Sequence, residues 1–178
     1  MPARRKVIVY IATSLDGYIA TPEGDLDFLA LVEQDGQDYG YADFYQTVDT
    51  VILGRKTYDK VLSMDIAFPH SGKKTYVLTR TERPNIGTVR FYTGSLPELV
   101  RELQSQTGNN IFVDGGAETV NQLLQENLVD EFYISIIPIL LGSGIPLFQQ
   151  GRPTQLLKLV ETTQFEKGLA QLHYIRLE

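Results

Sequence analysis

The sequence predicts a three-layer α/β protein with one central, mostly parallel sheet of about eight strands and an antiparallel hairpin at its C-terminus. Apolar, β-branched runs alternate with segments whose apolar residues recur at helical spacing, which is typical of a parallel sheet covered by helices. The last two apolar runs are separated only by a short turn, as in a hairpin. The 178 residues, 43% of them hydrophobic, show no repeat or linker. We therefore expect a single domain over residues 1–178.

The N-terminal half predicts four strands and three helical segments. Short runs rich in β-branched residues indicate the strands, and apolar residues three and four positions apart indicate the helices. Ser14–Asp25 contains Asp-Gly, Pro and Gly, which favour turns, so a loop is expected there. The expected strands are Lys6–Ala12, Thr50–Leu53, Lys74–Thr79 and Val89–Tyr92, and the expected helical segments are Phe28–Glu33, Tyr41–Val48 and Arg55–Leu62.

The C-terminal half predicts two helices, two strands and the terminal hairpin. Ser95 is expected to cap the first helix with Glu98 as its capping-box partner. Pro138 interrupts the apolar run Glu131–Leu141, which predicts a strand with a bulge or at a sheet edge. The remaining features are an apolar helical stripe of Leu96, Leu99, Val100 and Leu103, a strand at Ile111–Val113, a helix opened by Gly115 and Gly116, and hairpin strands at Gln155–Phe165 and Leu169–Leu177.

Composition excludes several classes of function. The net charge of −6 and the isoelectric point near 5.0 give no global attraction to nucleic acid or to an anionic membrane surface. The absence of cysteine excludes disulfides and thiolate chemistry. His70 and His173 lack ligand-like spacing, so no metal site is predicted. The sequence shows neither a signal peptide nor a run of about 20 apolar residues, and a cytoplasmic protein is expected.

The second predicted strand ends at a glycine that leads directly into a helix, in the sequence Gly54, Arg55, Lys56, Thr57. Glycine lets a phosphate approach the backbone, and the unpaired N–H groups at a helix start attract an anion. The two cations and the hydroxyl add charge and a donor. This segment is a candidate phosphate site, and an exposed basic pair after a tight turn is the alternative.

A second junction of this kind follows the strand at Ile111–Val113. Its paired glycines permit close backbone approach. It either cradles a pyrophosphate or simply packs a helix close to its strand, and the motif alone does not decide. Two such junctions would hold the two ends of one dinucleotide. The residues concerned are Gly115, Gly116, Ala117, Glu118 and Thr119.

Few side chains are suited to acid–base chemistry. Asp16 lies in the loop after the first strand, and Asp27 stands near the start of the first helical segment. A carboxyl group in an apolar cleft can have a raised pKa and donate a proton. Both residues also have structural interpretations, Asp16 in an Asp-Gly turn and Asp27 as a helix cap. No nucleophile-elbow motif is present.

Five sequence blocks in order resemble the dihydrofolate reductase-like superfamily, and within it the RibD C-terminal domain family. The blocks are SLDGYIA, LGRKTYD, VLTR, VDGGAETVNQLL and DEFYISIIPILLGSGIPLF, and they span the chain from about Lys6 to its end. The combination is specific, whereas each block alone is not. Two departures stand out: the 178 residues hold no zinc deaminase domain, and Phe28 stands where the family often has tryptophan.

The resemblance implies that NADPH binds across the carboxyl ends of the strands, with a cis bond between the two glycines of the second junction. For the cofactor it implies that Ala12, Ile19 and Ala20 lie beside the nicotinamide and that Leu78, Thr79 and Arg80 line the adenosine end. It also implies that the pyrophosphate and the 2′-phosphate are contacted by Gly54, Arg55, Lys56 and Thr57, and that Gly115 to Thr119 hold the pyrophosphate from the other side. For the substrate it implies a pocket near Asp16, with Asp27 as the second candidate, walled by Phe28 and faced by Ser143 and Gly144.

The implied function is NADPH-dependent reduction of a small heterocycle, as by the 5-amino-6-(5-phosphoribosylamino)uracil reductase of riboflavin biosynthesis. A stand-alone pteridine or dihydrofolate-type reductase is the alternative in the same class. A non-catalytic module that binds NADPH or a nucleotide is the alternative from another class. The family is often dimeric, and apolar runs such as Ile134–Leu141 fit either a homodimer interface or internal packing; a homodimer is expected.

Overall fold

The computed structural model describes residues 3–178, in which strands and helices alternate much as the sequence predicts. The strands are β1 (Val7–Ser14), β2 (Tyr18–Ala20), β3 (Val48–Gly54), β4 (Lys74–Leu78), β5 (Val89–Tyr92), β6 (Asn110–Gly115), β7 (Glu131–Ile137), β8 (Ile145–Pro146), β9 (Leu157–Gln164) and β10 (Ala170–Arg176). The α-helices are α1 (Tyr41–Gln46), α2 (Arg55–Leu62), α3 (Leu96–Ser105) and α4 (Ala117–Gln125), and short 3₁₀ helices occupy Asp27–Val32 and Glu166–Gly168.

The main sheet has eight strands in the order β5-β4-β3-β6-β1-β7-β10-β9. Its first six strands pair in parallel. The C-terminal strand β10 runs antiparallel to both β7 and β9, which makes the terminal hairpin. The predicted α/β class, the mostly parallel sheet of eight strands and the hairpin are therefore confirmed.

Both faces of the central strands are covered, which explains the continuous apolar runs of those strands. On one face Val7 and Val9 pack with the buried sides of α3 and α4. On the other face Ile8 packs with Phe44 of α1 and with Phe112. A third cluster, built around Phe28, Val32, Ile137 and Leu169, closes the same face toward β10.

Helix α3 forms as its pattern predicts. The Ser95 hydroxyl accepts the Glu98 N–H at 3.4 Å, so the N-cap is present. All four residues of the predicted stripe are at most 3% exposed, because they cover the sheet at i, i+3, i+4 and i+7 spacing.

Two local predictions are wrong, and a third element lacks the cap that the sequence offered. The predicted loop Ser14–Asp25 contains β2, which pairs with β8 far along the chain, a partner that local turn residues do not reveal. The strand expected over Glu131–Leu141 ends at Ile137, so Pro138 terminates an internal strand instead of bulging it. The expected helical segment Phe28–Glu33 is present as the 3₁₀ helix Asp27–Val32, and the side chain of Asp27 does not cap it.

A buried arginine ties the amino ends of the strands together. Arg5 is 5% exposed, and its guanidinium donates to the Asp49 carboxylate and, at 2.7 Å, to the Thr50 hydroxyl. It also donates to the carbonyl oxygens of Asn109, at 2.6 Å, and Leu103, at 3.3 Å. The residue thus joins the segment before β1 to β3, α3 and the segment before β6, at the edge of the sheet formed by the amino ends of its parallel strands.

Candidate functional site

The carboxyl ends of the parallel strands meet at one edge of the sheet, here called the carboxyl edge. In open α/β sheets ligands bind outside this edge. Gly54 ends β3, Leu78 ends β4 and Gly115 ends β6, so the three segments predicted to contact the pyrophosphate, the 2′-phosphate and the adenosine lie side by side. The loop with Asp16 follows β1 at the same edge, and the turn with Ser143 follows β7.

The two glycine junctions are in direct contact. A methyl group added to Gly54 would lie 3.2 Å from the Thr119 hydroxyl, and one added to Gly116 would lie 3.3 Å from the Thr57 hydroxyl. Gly115 has φ +119°, which side chains rarely adopt, and the Gly115–Gly116 bond is cis, as the resemblance implies. Each junction therefore needs glycine so that the threonine of the other can approach its backbone.

The helices that begin at these junctions start without a cap. Neither α2, which follows Gly54, nor α4, which follows Gly116, has a side-chain hydrogen bond at its N-cap. Helix α3 differs, because Ser95 caps it. The first-turn N–H groups of α2 and α4 are thus available to an anion, and the two helix dipoles favour negative charge at the carboxyl edge.

The cations beside the junctions fall into two groups. Arg55 is engaged with Asp59 at 2.8 Å, one turn along α2, and Arg83 lies 3.7 Å from the same carboxylate. Lys56 and Arg80 are both exposed, and neither forms an ion pair within residues 3–178. The charges left unneutralised for a ligand are therefore those of Lys56 and Arg80.

Asp16 acts as a clamp between two loops. One carboxylate oxygen accepts hydrogen bonds from the Ser14 hydroxyl at 2.6 Å and the Leu141 N–H at 3.1 Å. The other accepts from the Gly142 N–H at 2.8 Å. The bond from Ser14, joined by those from Gly142 and Leu141, holds the pKa of Asp16 below its ordinary range. An exposed carboxylate with these partners is ionised at neutral pH, which disfavours it as a proton donor.

The hydrogen bonds to ionised Asp16 stabilise the fold, and this stabilisation depends on pH. A carboxyl group whose pKa is depressed by folding stabilises the fold above its ordinary value of 3.8, and this contribution is lost as pH falls through the lower, folded pKa. We expect Asp16→Asn to unfold at lower urea concentration than wild type at pH 6, with the gap closing below pH 3.8. Asp35→Asn, at an exposed carboxylate, is the control. A gap that stays constant down to pH 3 would contradict the clamp.

The other substrate-side candidates are dispersed. Asp27 is exposed on its 3₁₀ helix, whereas Phe28 is 7% exposed and packs in the core with Val32 and Ile137. Ser143 is exposed at the tip of the turn. Gly144 lies against β2, where an added methyl group would meet the Ala20 carbonyl oxygen at 2.3 Å.

The three residues expected beside a nicotinamide lie on the two strands that flank the loop with Asp16, Ala12 on β1 and Ile19 and Ala20 on β2. Ala12 is partly buried and packs against the cluster that contains Phe28. Ile19 packs on the opposite side of the sheet, against the cluster of α3 and α4. Ala20 is 5% exposed and pairs with Ile145. Of the three, Ala12 alone lies on a strand of the main sheet.

Sequence reasoning missed one polar group at this edge. Asp114 directly precedes the glycine pair, and its carboxylate contacts the buried His70 at 2.8 Å. Its position before Gly115 was the available signal. No sequence signal pointed to His70, because it lies in the segment between α2 and β4, away from the predicted site segments.

The described residues contain neither a membrane-spanning helix nor a metal-binding cluster. No helix there combines the length and apolar character required to cross a bilayer. Nor do three or more acidic or histidine side chains converge there in an arrangement able to hold a metal ion.

The eight-stranded, mostly parallel sheet with its antiparallel C-terminal strands has a dihydrofolate reductase-like α/β fold. The structure of dihydrofolate reductase from Enterococcus faecalis has this fold, with a TM-score of 0.66, 16% identity and 97% of each chain covered.

The chain belongs to the RibD C-terminal domain family, whose profile matches residues 5–171. The uncharacterized protein YwjB of Bacillus subtilis strain 168 is 45% identical over 173 residues, which cover 97% of this chain and 98% of that protein. A protein of Shewanella sp. PV-4 with the name "Putative riboflavin biosynthesis protein" is 35% identical, has a TM-score of 0.88 and is covered over 99% of its chain, against 97% of this one. The family is reductase-like, and the predicted resemblance is confirmed.

Proposed function

We propose that this protein is an NADPH-dependent oxidoreductase that reduces a small heterocycle of the 5-amino-6-(5-phosphoribosylamino)uracil type. The observation that carries the proposal is the contact between two uncapped helix starts, made through Gly54 and Gly116. Lys56 and Arg80 lie beside them and form no ion pair among residues 3–178. The RibD family and the riboflavin-related name of the Shewanella protein support the substrate class. The Enterococcus faecalis protein, which shares the fold, is complexed with NADP(H).

The residues at the carboxyl edge fit such a cofactor. A pyrophosphate needs convergent N–H donors and a backbone without side chains in the way, and the two glycine junctions supply both. Thr57 and Thr119 add hydroxyl groups there. Glu118, exposed in the first turn of α4, carries the same sign of charge as a phosphate, so its contribution is its backbone N–H. Lys56 and Arg80 are assigned to the 2′-phosphate.

The bound nicotinamide supplies hydride, and the protein supplies binding, orientation and exclusion of water. The proton that balances the hydride comes from a carboxylic acid or from water. Ionised Asp16 accepts three hydrogen bonds, so we assign it to holding the loop after β1 against the turn after β7. Ala12, at the start of that loop, is the strand residue assigned to the nicotinamide end.

Titration calorimetry with NADPH and NADH tests the proposal. Lys56→Ala and Arg80→Ala are each expected to weaken NADPH binding about tenfold, because a charge-assisted contact to a phosphate contributes about 1.4 kcal/mol or more. NADH binding changes little in these variants, since NADH lacks the 2′-phosphate. Lys158→Ala, an exposed lysine on β9, is the matched control and leaves both affinities unchanged. If wild type binds neither cofactor, the proposal is wrong.

Turnover separates the alternatives. A non-catalytic nucleotide-binding module would bind NADPH without oxidising it in the presence of any acceptor. A pteridine or dihydrofolate-type reductase would oxidise it with dihydrofolate faster than with the ribosylaminopyrimidine phosphate. We expect the pyrimidine to be preferred.

We also propose that the protein is a homodimer through the face of β7, β10 and β9. Strand β9 is exposed along its length, and its outer edge is unpaired within the described residues. A groove of about 360 Å³ on this face is lined by apolar side chains that include Ile134, Leu157 and Leu172. Leu159, on the same face of β9 as Leu157, is 48% exposed. Contiguous exposed apolar surface of this kind marks an interaction site.

Leu159→Glu is expected to convert the dimer to a monomer, because the charge would have to be buried without a partner. Chromatography with light scattering measures the mass of each species. Lys158→Glu, one residue away on the opposite face of β9, should remain dimeric. A monomeric wild type would contradict the proposed assembly.

A further inference from the structure

One carboxylate on α2 holds two arginines at the carboxyl edge. Asp59 Oδ2 accepts a hydrogen bond from Arg55 Nη1 at 2.8 Å, and Asp59 Oδ1 lies 3.7 Å from Arg83 Nη1. Arg55 precedes Asp59 by one helical turn, whereas Arg83 belongs to the segment between β4 and β5. The carboxylate therefore bridges α2 to the neighbouring loop, beside the glycine junction at which α2 begins.

The bridge lies next to the cations assigned to the 2′-phosphate. Arg55 directly precedes Lys56 on α2, and Arg83 follows Arg80 by three residues. Strands β3 and β4 pair in parallel, so the segments that follow them leave the same edge side by side. The two arginines that Asp59 engages are thus neighbours of the two cations that have no ion pair among residues 3–178.

Arg83 has a second contact that keeps it at this place. Its guanidinium lies 5.6 Å from the centre of the Phe91 ring on β5. Phe91 in turn packs edge-on against Tyr58 of α2, with the ring centres 5.5 Å apart. A cation over an aromatic face is attracted by the ring, so Arg83 stays beside α2 when its contact with Asp59 opens.

The bridge is exposed, and opening it therefore costs little. The side chains of Arg55, Asp59 and Arg83 are 42%, 41% and 39% exposed. Ion pairs of this exposure contribute little to stability. A guanidinium that meets a phosphate forms stronger, charge-assisted and often bidentate hydrogen bonds. A phosphate that reaches this edge consequently competes well with Asp59 for both arginines.

We propose that Asp59 is an internal competitor of the 2′-phosphate of the cofactor and holds Arg55 and Arg83 until that phosphate displaces it. This inference rests on the proposed function, because it concerns the group that distinguishes NADPH from NADH. In the complex the displaced carboxylate is a like charge near the phosphate, which weakens binding and speeds release. If Asp59 instead oriented Arg55 for the phosphate, its removal would weaken binding, so the sign of the effect decides between the two roles.

Calorimetric titration with adenosine 2′,5′-bisphosphate and with adenosine 5′-monophosphate tests the inference. The two probes differ only in the 2′-phosphate. Asp59→Asn is expected to bind the bisphosphate about fivefold tighter than wild type, a gain of about 1 kcal/mol, with unchanged affinity for the monophosphate. Asp59→Glu, which keeps the charge, should stay near wild type. Arg83→Ala should weaken binding of the bisphosphate alone, because this arginine is delivered to the 2′-phosphate.

An exposed ion pair elsewhere in the fold supplies the matched control. Glu126 at the end of α4 pairs with Arg101 at 2.8 Å, and both side chains are exposed. Glu126→Gln makes the same change of charge as Asp59→Asn but should leave both affinities unchanged. Affinity differences among variants of one site lie mainly in the dissociation rate, so NADPH should also leave Asp59→Asn more slowly than wild type in a stopped-flow displacement.

The readouts separate this inference from the cofactor proposal. If wild type binds neither NADPH nor the bisphosphate, the proposed function is wrong and this inference falls with it. If wild type prefers the bisphosphate but Asp59→Asn binds it no more tightly, the proposed function stands and the competitor role is overturned. Equal gains for both probes would reveal a general effect of charge and would also overturn it.

Discussion

Gly116→Val is expected to weaken NADPH binding by at least about 100-fold, equivalent to about 2.7 kcal/mol. The backbone of Gly116, at φ −77° and ψ −165°, is open to other residues, so the obstacle is steric. A Cβ there lies 3.3 Å from the Thr57 hydroxyl, and the two additional methyl groups of valine occupy the space between the two helix starts. The variant would separate α2 from α4 and cover the N–H groups assigned to the pyrophosphate.

Alanine and valine at position 116 form a series of increasing side-chain size. Gly116→Ala should cause an intermediate loss, because its single methyl group requires Thr57 to move by only a few tenths of an ångström. Gly72→Val is the control, since a Cβ at Gly72 meets nothing within 4 Å. Calorimetry gives the affinities and circular dichroism confirms the fold. Equal affinities for Gly116→Val and wild type would show that the two junctions do not bind the cofactor together.

Arg5→Met is expected to lower the free energy of unfolding by about 1–3 kcal/mol, the cost of leaving buried acceptors without their donor; the Asp49 carboxylate adds little to this loss because it is 39% exposed. Methionine fills much of the volume but leaves the Asp49 carboxylate, the Thr50 hydroxyl and two carbonyl oxygens without their common donor. An acceptor left unpaired in this way retains its full desolvation cost. Urea unfolding at pH 7 measures the difference.

The neighbouring arginine is a matched control. Arg4 pairs with Asp130, but its side chain is 52% exposed. Exposed ion pairs contribute about 1 kcal/mol or less, so Arg4→Met should have a small effect. Similar losses in both variants would mean that the burial of Arg5 is not what makes it important. Because Arg5 lies opposite the carboxyl edge, the residual folded protein should bind NADPH with unchanged affinity.

The elements that the sequence predicts well are those with a local cause. Val89–Tyr92 and Arg55–Leu62 have the predicted bounds, and α3 has its predicted cap, because apolar periodicity and capping act within a few residues. The glycine junctions were also predictable, since glycine at a strand end before a helix has a local meaning. That they touch each other follows from β3 and β6 being neighbours, which no local pattern states.

The features that sequence reasoning missed depend on distant partners. β2 exists because β8 pairs with it, and Asp16 became a loop clamp because Leu141 and Gly142 donate to it. In the sequence nothing distinguishes Arg5 from other charged residues, because its partners Asp49 and Asn109 reach it only in the fold. No sequence pattern marks His70, because its partner Asp114 lies on β6, 44 residues further along the chain.

The central position of β1 in the sheet has a consequence for synthesis. Val7 lies opposite Ile111 and Ile8 opposite Glu131, so β1 cannot be paired in this sheet until β6 and then β7 have been made. Until then a continuous apolar strand has two open edges, which is a template for aggregation. High contact order also slows the closing step. Chaperone capture is expected to be greatest for nascent chains that end before Glu131, and a ribosome-arrest series would show it released soon after β7 emerges.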